Sequence, residues 1–346
     1  MKILILGASY GSLLGVKMAL GGHDVSLVCL PQEAALINSK GAIVRMPVKG
    51  REGLVEVNSK SLRGKLDAVG TDADPRKFDM VGLAMQEPQY RSAGVRELLD
   101  AVGKSGKPCL SIMNMPPLPY LARIPGIDPA KCADSYTDPT VWKNVDPEVT
   151  TLCSPDPQAF RPPDQDVNVL QVRLPTNFKA ARFESDAHTQ LLRTLEKDIE
   201  SARFEGLELP VKLKVHESVF VPLAKWAMLM AGNYRCVKAD TVVSIKEAVH
   251  GDLAATRAVY NWVADLCVSL GASRDDMVPF EKYAAAAQSL GSPSSAARAL
   301  ANGAQNIERV DRLVQSVAAQ HGKRSPAVDE IVQLVDAWLV RNRRKG

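Results

Sequence analysis

The first thirty residues constrain the fold most. Ile3-Leu4-Ile5-Leu6 is an uninterrupted apolar run that stops at Gly7, and Ala8-Ser9-Tyr10-Gly11-Ser12-Leu13-Leu14-Gly15 follows it. A run without polar alternation suits a strand covered on both faces, as in a parallel sheet. Val16-Lys17-Met18-Ala19-Leu20 continues at helical spacing, Gly21-Gly22-His23 makes a turn, and Asp24 to Leu30 forms a second strand-like run. Strand, glycine turn, helix and strand within about 30 residues make one βαβ unit of mononucleotide-binding size. Small side chains at such a turn let the peptide N–H groups at the helix start meet an anion. Gly7, Ser9, Tyr10, Gly11 and Ser12 are therefore candidate contacts for the pyrophosphate of a dinucleotide.

The motif departs from the usual G-x-G-x-x-G. Gly7, Ser9 and Gly11 are one residue tighter, and Gly15 lies further along the helix. A purely structural glycine turn, or a degenerate and empty nucleotide site, is the competing reading. The same residues spell G-x-S-x-G around Ser9, the nucleophile elbow of hydrolases, but almost nothing precedes the motif to build the sheet an elbow needs. Cofactor choice is usually made where the second strand ends, by an acid for a ribose hydroxyl or an arginine for a 2′-phosphate. Here that end reads Cys29-Leu30-Pro31-Gln32-Glu33, with neither determinant plain and Glu33 read as an exposed charge opening the next helix.

Further strand signals stand at Phe78 to Ala84 and Lys107 to Met113, with a helical pattern in Val95, Leu98, Leu99 and Val102 between them. That alternation implies a right-handed parallel crossover. Residues 115–165 are rich in proline and read as loops and short strands, because each proline removes a ladder donor. A strand at Val167 to Val172 and an amphipathic helix through Leu191, Leu192, Leu195 and Ile199 complete the first part. From about His216 the pattern is helical: Val219 to Ala231, Val242 to Val249, Ala254 to Leu270, Phe280 to Leu290, Ala296 to Gln320 and Ala327 to Arg341. The expected fold class is α/β, a Rossmann-type parallel-sheet domain over 1–212 followed by an all-helical domain over 213–346. A chain of 346 residues, 46% hydrophobic and 24% charged, accommodates two such cores.

Basic and acidic residues number 43 and 39 and are well mixed, which argues against nucleic acid or an anionic membrane as partner. Arg341, Arg343, Arg344 and Lys345 read as a frayed, solvated tail. No apolar stretch approaches the ~20 residues of a membrane span. The six cysteines are far apart with no C-x-x-C pair, the pattern of reduced thiols, so a cytoplasmic protein is expected. The histidines show no ligand spacing, so no metal is expected.

In the helical half, Val221 to Asn233 is almost entirely apolar around Lys225. Such a lysine either snorkels to water or sits in a cleft where it can protonate a carbonyl oxygen. Asn233 lies eight residues later, about 12 Å along a regular helix. A second polar set is Ser294, Ser295, Arg298, Asn302, Asn306, Glu308 and Asp311, for which helix capping is the plain explanation of the serines.

Taken together, the order of features resembles the ketopantoate reductase (2-dehydropantoate 2-reductase) family along essentially the full chain. The resemblance rests on Gly7 to Leu30 with Gly22-His23-Asp24-Val25, on Asp79, on Asn114 ending a strand, on Lys225-Trp226, on Pro293-Ser294-Ser295 and on Gly322-Lys323-Arg324-Ser325-Pro326. It implies a cytoplasmic, dimeric enzyme of pantothenate biosynthesis that reduces a 2-oxo acid, with NADP as cofactor and NAD as the alternative. It further implies Lys225 as general acid and Glu308 as catalytic carboxylate, with Asp311 competing for that register. Asn233 and Ser295 would hold substrate, and Asn114 would serve both substrate and nicotinamide. Leu229, Gln86, Met115, Ser9 and Leu30 depart from the family pattern and leave ketopantoate itself open as substrate. An opine-type dehydrogenase, with His216 or His250 paired to an acid, and a non-catalytic dinucleotide-binding protein are the alternatives.

Overall fold

The computed structural model describes residues 1–345. The chain forms two compact units, one built from residues 1–85, 89–120 and 140–219, the other from 86–88, 121–139 and 220 onward.

In the first unit, β1 (Lys2–Leu6), α1 (Tyr10–Leu20) and β2 (Asp24–Val28) form the expected βαβ unit. Helix α2 (Pro31–Lys40) leads to β3 (Ile43–Pro47), β4 (Leu54–Asn58) and β5 (Leu66–Val69), and then come β6 (Met80–Leu83), α3 (Val95–Ser105) and β7 (Cys109–Ile112). The unit closes with β8 (Thr150–Ser154), β9 (Gln158–Phe160), β10 (Val169–Leu174), β11 (Phe178–Ala181), α4 (Asp186–Ser201) and β12 (Leu213–His216). The main sheet has the order β12-β11-β8-β7-β6-β1-β2-β5. It is parallel except where β11 meets β8. Strands β6 and β7 are buried at every residue, which is why they read as apolar runs; β8 is buried throughout too, but Thr150, Thr151 and Ser154 interrupt its apolar pattern. Because β1 is flanked by β2 on one side and β6 on the other, the chain reverses direction across the sheet at β1, the switch point where open α/β sheets bind ligands.

Strands β3, β4, β5, β8, β9, β11 and β12 are not among the strands read from sequence. Four of the missed or short segments, β4-β3-β10-β9, form a second sheet. They are half-exposed three- to six-residue runs, and their alternation is too brief to separate from loop. In the proline-rich segment, Asp128 and Asp146 precede proline and accept the N–H two residues on, so single 3-10 turns form there.

The second unit is helical: α5 (Lys225–Met228), α6 (Ile245–His250), α7 (Leu253–Ser269), α8 (Phe280–Ala287), α9 (Ser295–Ala301), α10 (Val310–Gln320) and α11 (Pro326–Lys345). Two helices expected from spacing are broken. The apolar stretch around Lys225 is a 3-10 turn (Val221–Ala224), α5, a π turn (Leu229–Asn233) and a further 3-10 turn (Tyr234–Cys236). The stretch Ala296 to Gln320 is interrupted after α9, where Gly303 has φ +87°. The basic C-terminus is helical rather than frayed: Arg341 stacks on Trp338 and donates to the Ala239 carbonyl at 2.7 Å, and Arg343 donates to the Gln305 carbonyl at 3.0 Å. Among the described residues, no helix is long and apolar enough to cross a membrane.

Candidate active site

In the first unit the glycine turn sits at the carboxyl end of β1. Gly7 has φ +105°, and a Cβ there would stand 2.7 Å from the Ala84 carbonyl oxygen, so only glycine fits. Its N–H donates to the Val28 carbonyl at 2.9 Å, which ties the turn to the end of β2. A Cβ on Gly11 would lie 2.9 Å from Ile5 Cγ2, so this glycine lets α1 pack on the sheet. Ser12 is buried and its hydroxyl donates back to the Ala8 carbonyl. The Tyr10 hydroxyl donates to the Pro157 carbonyl at 3.0 Å, and its ring meets Phe178 edge-on. These two side chains brace the turn. What faces a ligand is main chain: the first N–H groups of α1 have no acceptor within the helix, and exposed Ser9 makes no side-chain cap.

Two strands away in the same sheet, Asn114 follows β7. Its Oδ1 is buried and has no hydrogen-bond partner, an arrangement that needs an explanation in a folded protein. Met115, which follows it, is a fully buried core residue. The small-residue cradle at Gly7 and the orphaned amide oxygen of Asn114 thus lie beyond the carboxyl ends of β1 and β7 in one sheet. Glu33 is not the exposed charge expected from sequence. It is 8% exposed and ion-paired with Arg161, because α2 turns Glu33 inward and leaves Gln32 outside.

The second unit gathers most of the polar candidates. Ser294, buried, donates to the Asn233 carbonyl at 2.7 Å and caps α9 by accepting the Ala297 N–H. Ser295 is exposed on the first turn of α9. The Tyr234 hydroxyl donates to the Glu308 carbonyl at 2.5 Å and accepts the Val310 N–H at 3.1 Å. Asn233, Ser294, Ser295 and Glu308 are therefore drawn to one region by Tyr234 and Ser294. The Glu308 carboxylate accepts the Glu87 N–H at 3.3 Å, and buried Glu87 accepts from the Thr137 N–H and hydroxyl at 3.0 and 2.8 Å. Asp311 is fully buried and bidentate on Arg309, so that carboxylate is committed to structure.

Lys225 is half-buried at the start of α5 between Ala224 and Trp226, both buried. A regular helix advances about 100° per residue and would leave Asn233 about 80° round from Lys225. The π turn advances less per residue, which brings Asn233 back toward the face of Lys225. The carbonyls it displaces find donors: Met228 from the Tyr283 hydroxyl at 3.2 Å, Gly232 from Cys236 Sγ at 3.4 Å. Ser294 is legible as a helix cap from its place after Pro293, whereas nothing in the pattern marks Glu87 or Tyr234.

His250 Nε2 lies 2.9 Å from the Ala284 carbonyl and Nδ1 faces Gln288, so no carboxylate orients it, and His216 ends β12 in the first unit. Among the described residues, no group of three or more His, Cys, Asp or Glu side chains could hold a metal.

The sequence matches no protein-family model and no curated protein. Solved structures do match over the whole length. 2-Dehydropantoate 2-reductase from Methylococcus capsulatus superposes with TM-score 0.64 at 16% identity, covering 99% of this chain and 98% of its own. D-mandelate dehydrogenase bound to NADH and anilino(oxo)acetate gives 0.64 at 14%, with 99% and 100% covered. A dimeric ketopantoate reductase from Staphylococcus aureus gives 0.57 at 9%, again with 99% and 100% covered. A Rossmann-type sheet unit followed by a helical unit, matched end to end by these structures, is the ketopantoate reductase fold, and it is the fold of this chain.

Proposed function

We propose that the chain is a nicotinamide-dependent reductase of a 2-oxo acid, ketopantoate-reductase-like, with NADPH preferred over NADH. The observation that carries this reading is the buried, unpartnered Oδ1 of Asn114 on the same sheet edge as the Gly7 turn. The N–H groups of Tyr10 and Gly11, with Ser9, would hold the pyrophosphate, and Asn114 the nicotinamide end. Bound there, the dinucleotide supplies a hydride for the ketone. Reduction leaves negative charge on the former carbonyl oxygen, and Lys225 Nζ would protonate it. Asn233, Ser295 and Glu308 would hold the hydroxyl and carboxylate of the substrate. The helical unit would carry substrate and dimer contacts, as a dimeric neighbour on this fold suggests.

Titration with NADPH and NADH, followed by a screen of aliphatic and aromatic 2-oxo acids, tests the reading. Lys225→Ala should lower turnover ~10²- to ~10⁴-fold and leave NADPH affinity within a factor of about two. A chain that binds neither dinucleotide overturns the proposal. Leu229 and Met115, both buried where the family is polar or bare, favour one other outcome: binding without turnover on any 2-oxo acid, as in a non-catalytic dinucleotide-binding protein.

A further inference from the structure

The end of β2 carries Leu30, 75% exposed, where a cation for a 2′-phosphate would be looked for. A cation is nevertheless present, delivered from a distant part of the chain. The segment after β8 crosses the start of α1, where the Pro157 carbonyl accepts the Tyr10 hydroxyl, and runs through β9 to Arg161. There Arg161 Nη2 pairs with Glu33 Oε1 in the first turn of α2. The glycine turn is bonded to the end of β2 through Gly7 and Val28, so Ser9, Leu30, Glu33 and Arg161 all belong to one rim of the first unit. The Arg161 side chain is 34% exposed and that of Glu33 is 11% exposed, so the cation is the member of the pair that an incoming ligand meets. A guanidinium has five donors, and Glu33 occupies one end of it.

Resting on the dinucleotide reading above, we propose that Arg161 is the specificity-determining residue that receives the 2′-phosphate of NADPH, with Glu33 holding it in place. Guanidinium and phosphate match in charge and in bidentate geometry. Glu33 by itself would favour the bare ribose hydroxyls of NADH, but its carboxylate is already taken by Arg161. Burial raises the Glu33 carboxyl above its ordinary range while Arg161 opposes the rise, so the buried carboxylate has reason to keep the guanidinium beside it.

The test is direct binding, followed by dinucleotide fluorescence and by calorimetry with adenosine 2′-monophosphate and adenosine 5′-monophosphate as fragment probes. Wild type should bind NADPH more tightly than NADH, and the 2′-monophosphate more tightly than the 5′. Arg161→Gln should weaken NADPH and the 2′-monophosphate at least about 10-fold and change NADH less than about 3-fold. Arg161→Lys, which keeps the charge without the fork, should fall between. Glu33→Gln should retain the NADPH preference, since the cation remains. Equal weakening of both dinucleotides in Arg161→Gln and Arg161→Lys, or an unchanged ratio, overturns the assignment of Arg161 alone. Failure of wild type to bind either dinucleotide overturns the oxidoreductase reading and this inference with it.

Discussion

Gly11 shows how the missing side chain of a motif residue can serve packing while its N–H remains for a ligand. Its hydrogen faces Ile5 Cγ2 in the packed interface between α1 and the sheet, so Gly11→Val should cost about 1–3 kcal/mol through overpacking and lose cofactor binding only as the fold loosens. Ser9 is the cleaner probe, because it is exposed at the start of α1 and caps nothing. Ser9→Val should weaken NADPH and NADH together by about 10-fold, with stability within about 0.5 kcal/mol of wild type. Loss of binding in Gly11→Val without loss of stability, or none in Ser9→Val, would reverse these roles. Nothing in the spacing around Lys17 on α1 separates burial from snorkelling. It is 1% exposed, donates to the Leu209 carbonyl at 3.1 Å, and burial lowers its ammonium from 10.5 to about 8. The unfolded chain keeps this proton up to about pH 10.5 and the folded chain releases it near 8, so stability should rise between those values, by roughly 3 kcal/mol. Lys17→Met should flatten that rise in denaturant titrations at pH 7.5 and 10, and an equal slope in both proteins would count against the burial argument.

At the scale of elements, the βαβ unit and the central strands were legible because strands buried on both faces are plain apolar runs. The second sheet was not, because its strands are short and half-wet. The broken helix after Lys225 was hidden for a different reason: a stretch apolar at almost every position shows no spacing that separates 3-10, α and π turns, and what selects between them is the set of donors that reach the displaced carbonyls. Tyr283 and Ser294 are such donors, and each is about 55 or more residues away in sequence. Gly232 is the matching detail, since a Cβ there would collide with the Tyr283 hydroxyl. Gly232→Ala should therefore destabilise by about 1–3 kcal/mol, and adding Tyr283→Phe should recover part of that loss. Strict additivity in the double-mutant cycle would mean that the tyrosine and the π turn are not coupled. The polar candidates of the helical unit were found as residue types, but only Tyr234 and Ser294 explain how Asn233 and Glu308 come to one region.

For the whole molecule, the division into two units bears on how a ligand acts on stability. The Rossmann-type unit contains its own apolar cluster, from Ile3 and Leu13 to Leu192 and Leu213, and all proposed pyrophosphate contacts lie within it. A ligand that binds only the folded form stabilises it by mass action, about 2.7 kcal/mol at one hundred times its Kd. For a unit of roughly 200 residues, that is a rise in melting temperature of roughly 5 to 10 °C. NADPH at that excess should shift the calorimetric transition of this unit accordingly. Lys225→Ala should show the same shift, because Lys225 belongs to the helical unit and its proposed work is proton transfer. Arg161→Gln should show a smaller shift at the same NADPH concentration, in proportion to its weakened binding. A shift abolished by Lys225→Ala would make that lysine part of the cofactor site and end its assignment as a general acid acting on substrate alone.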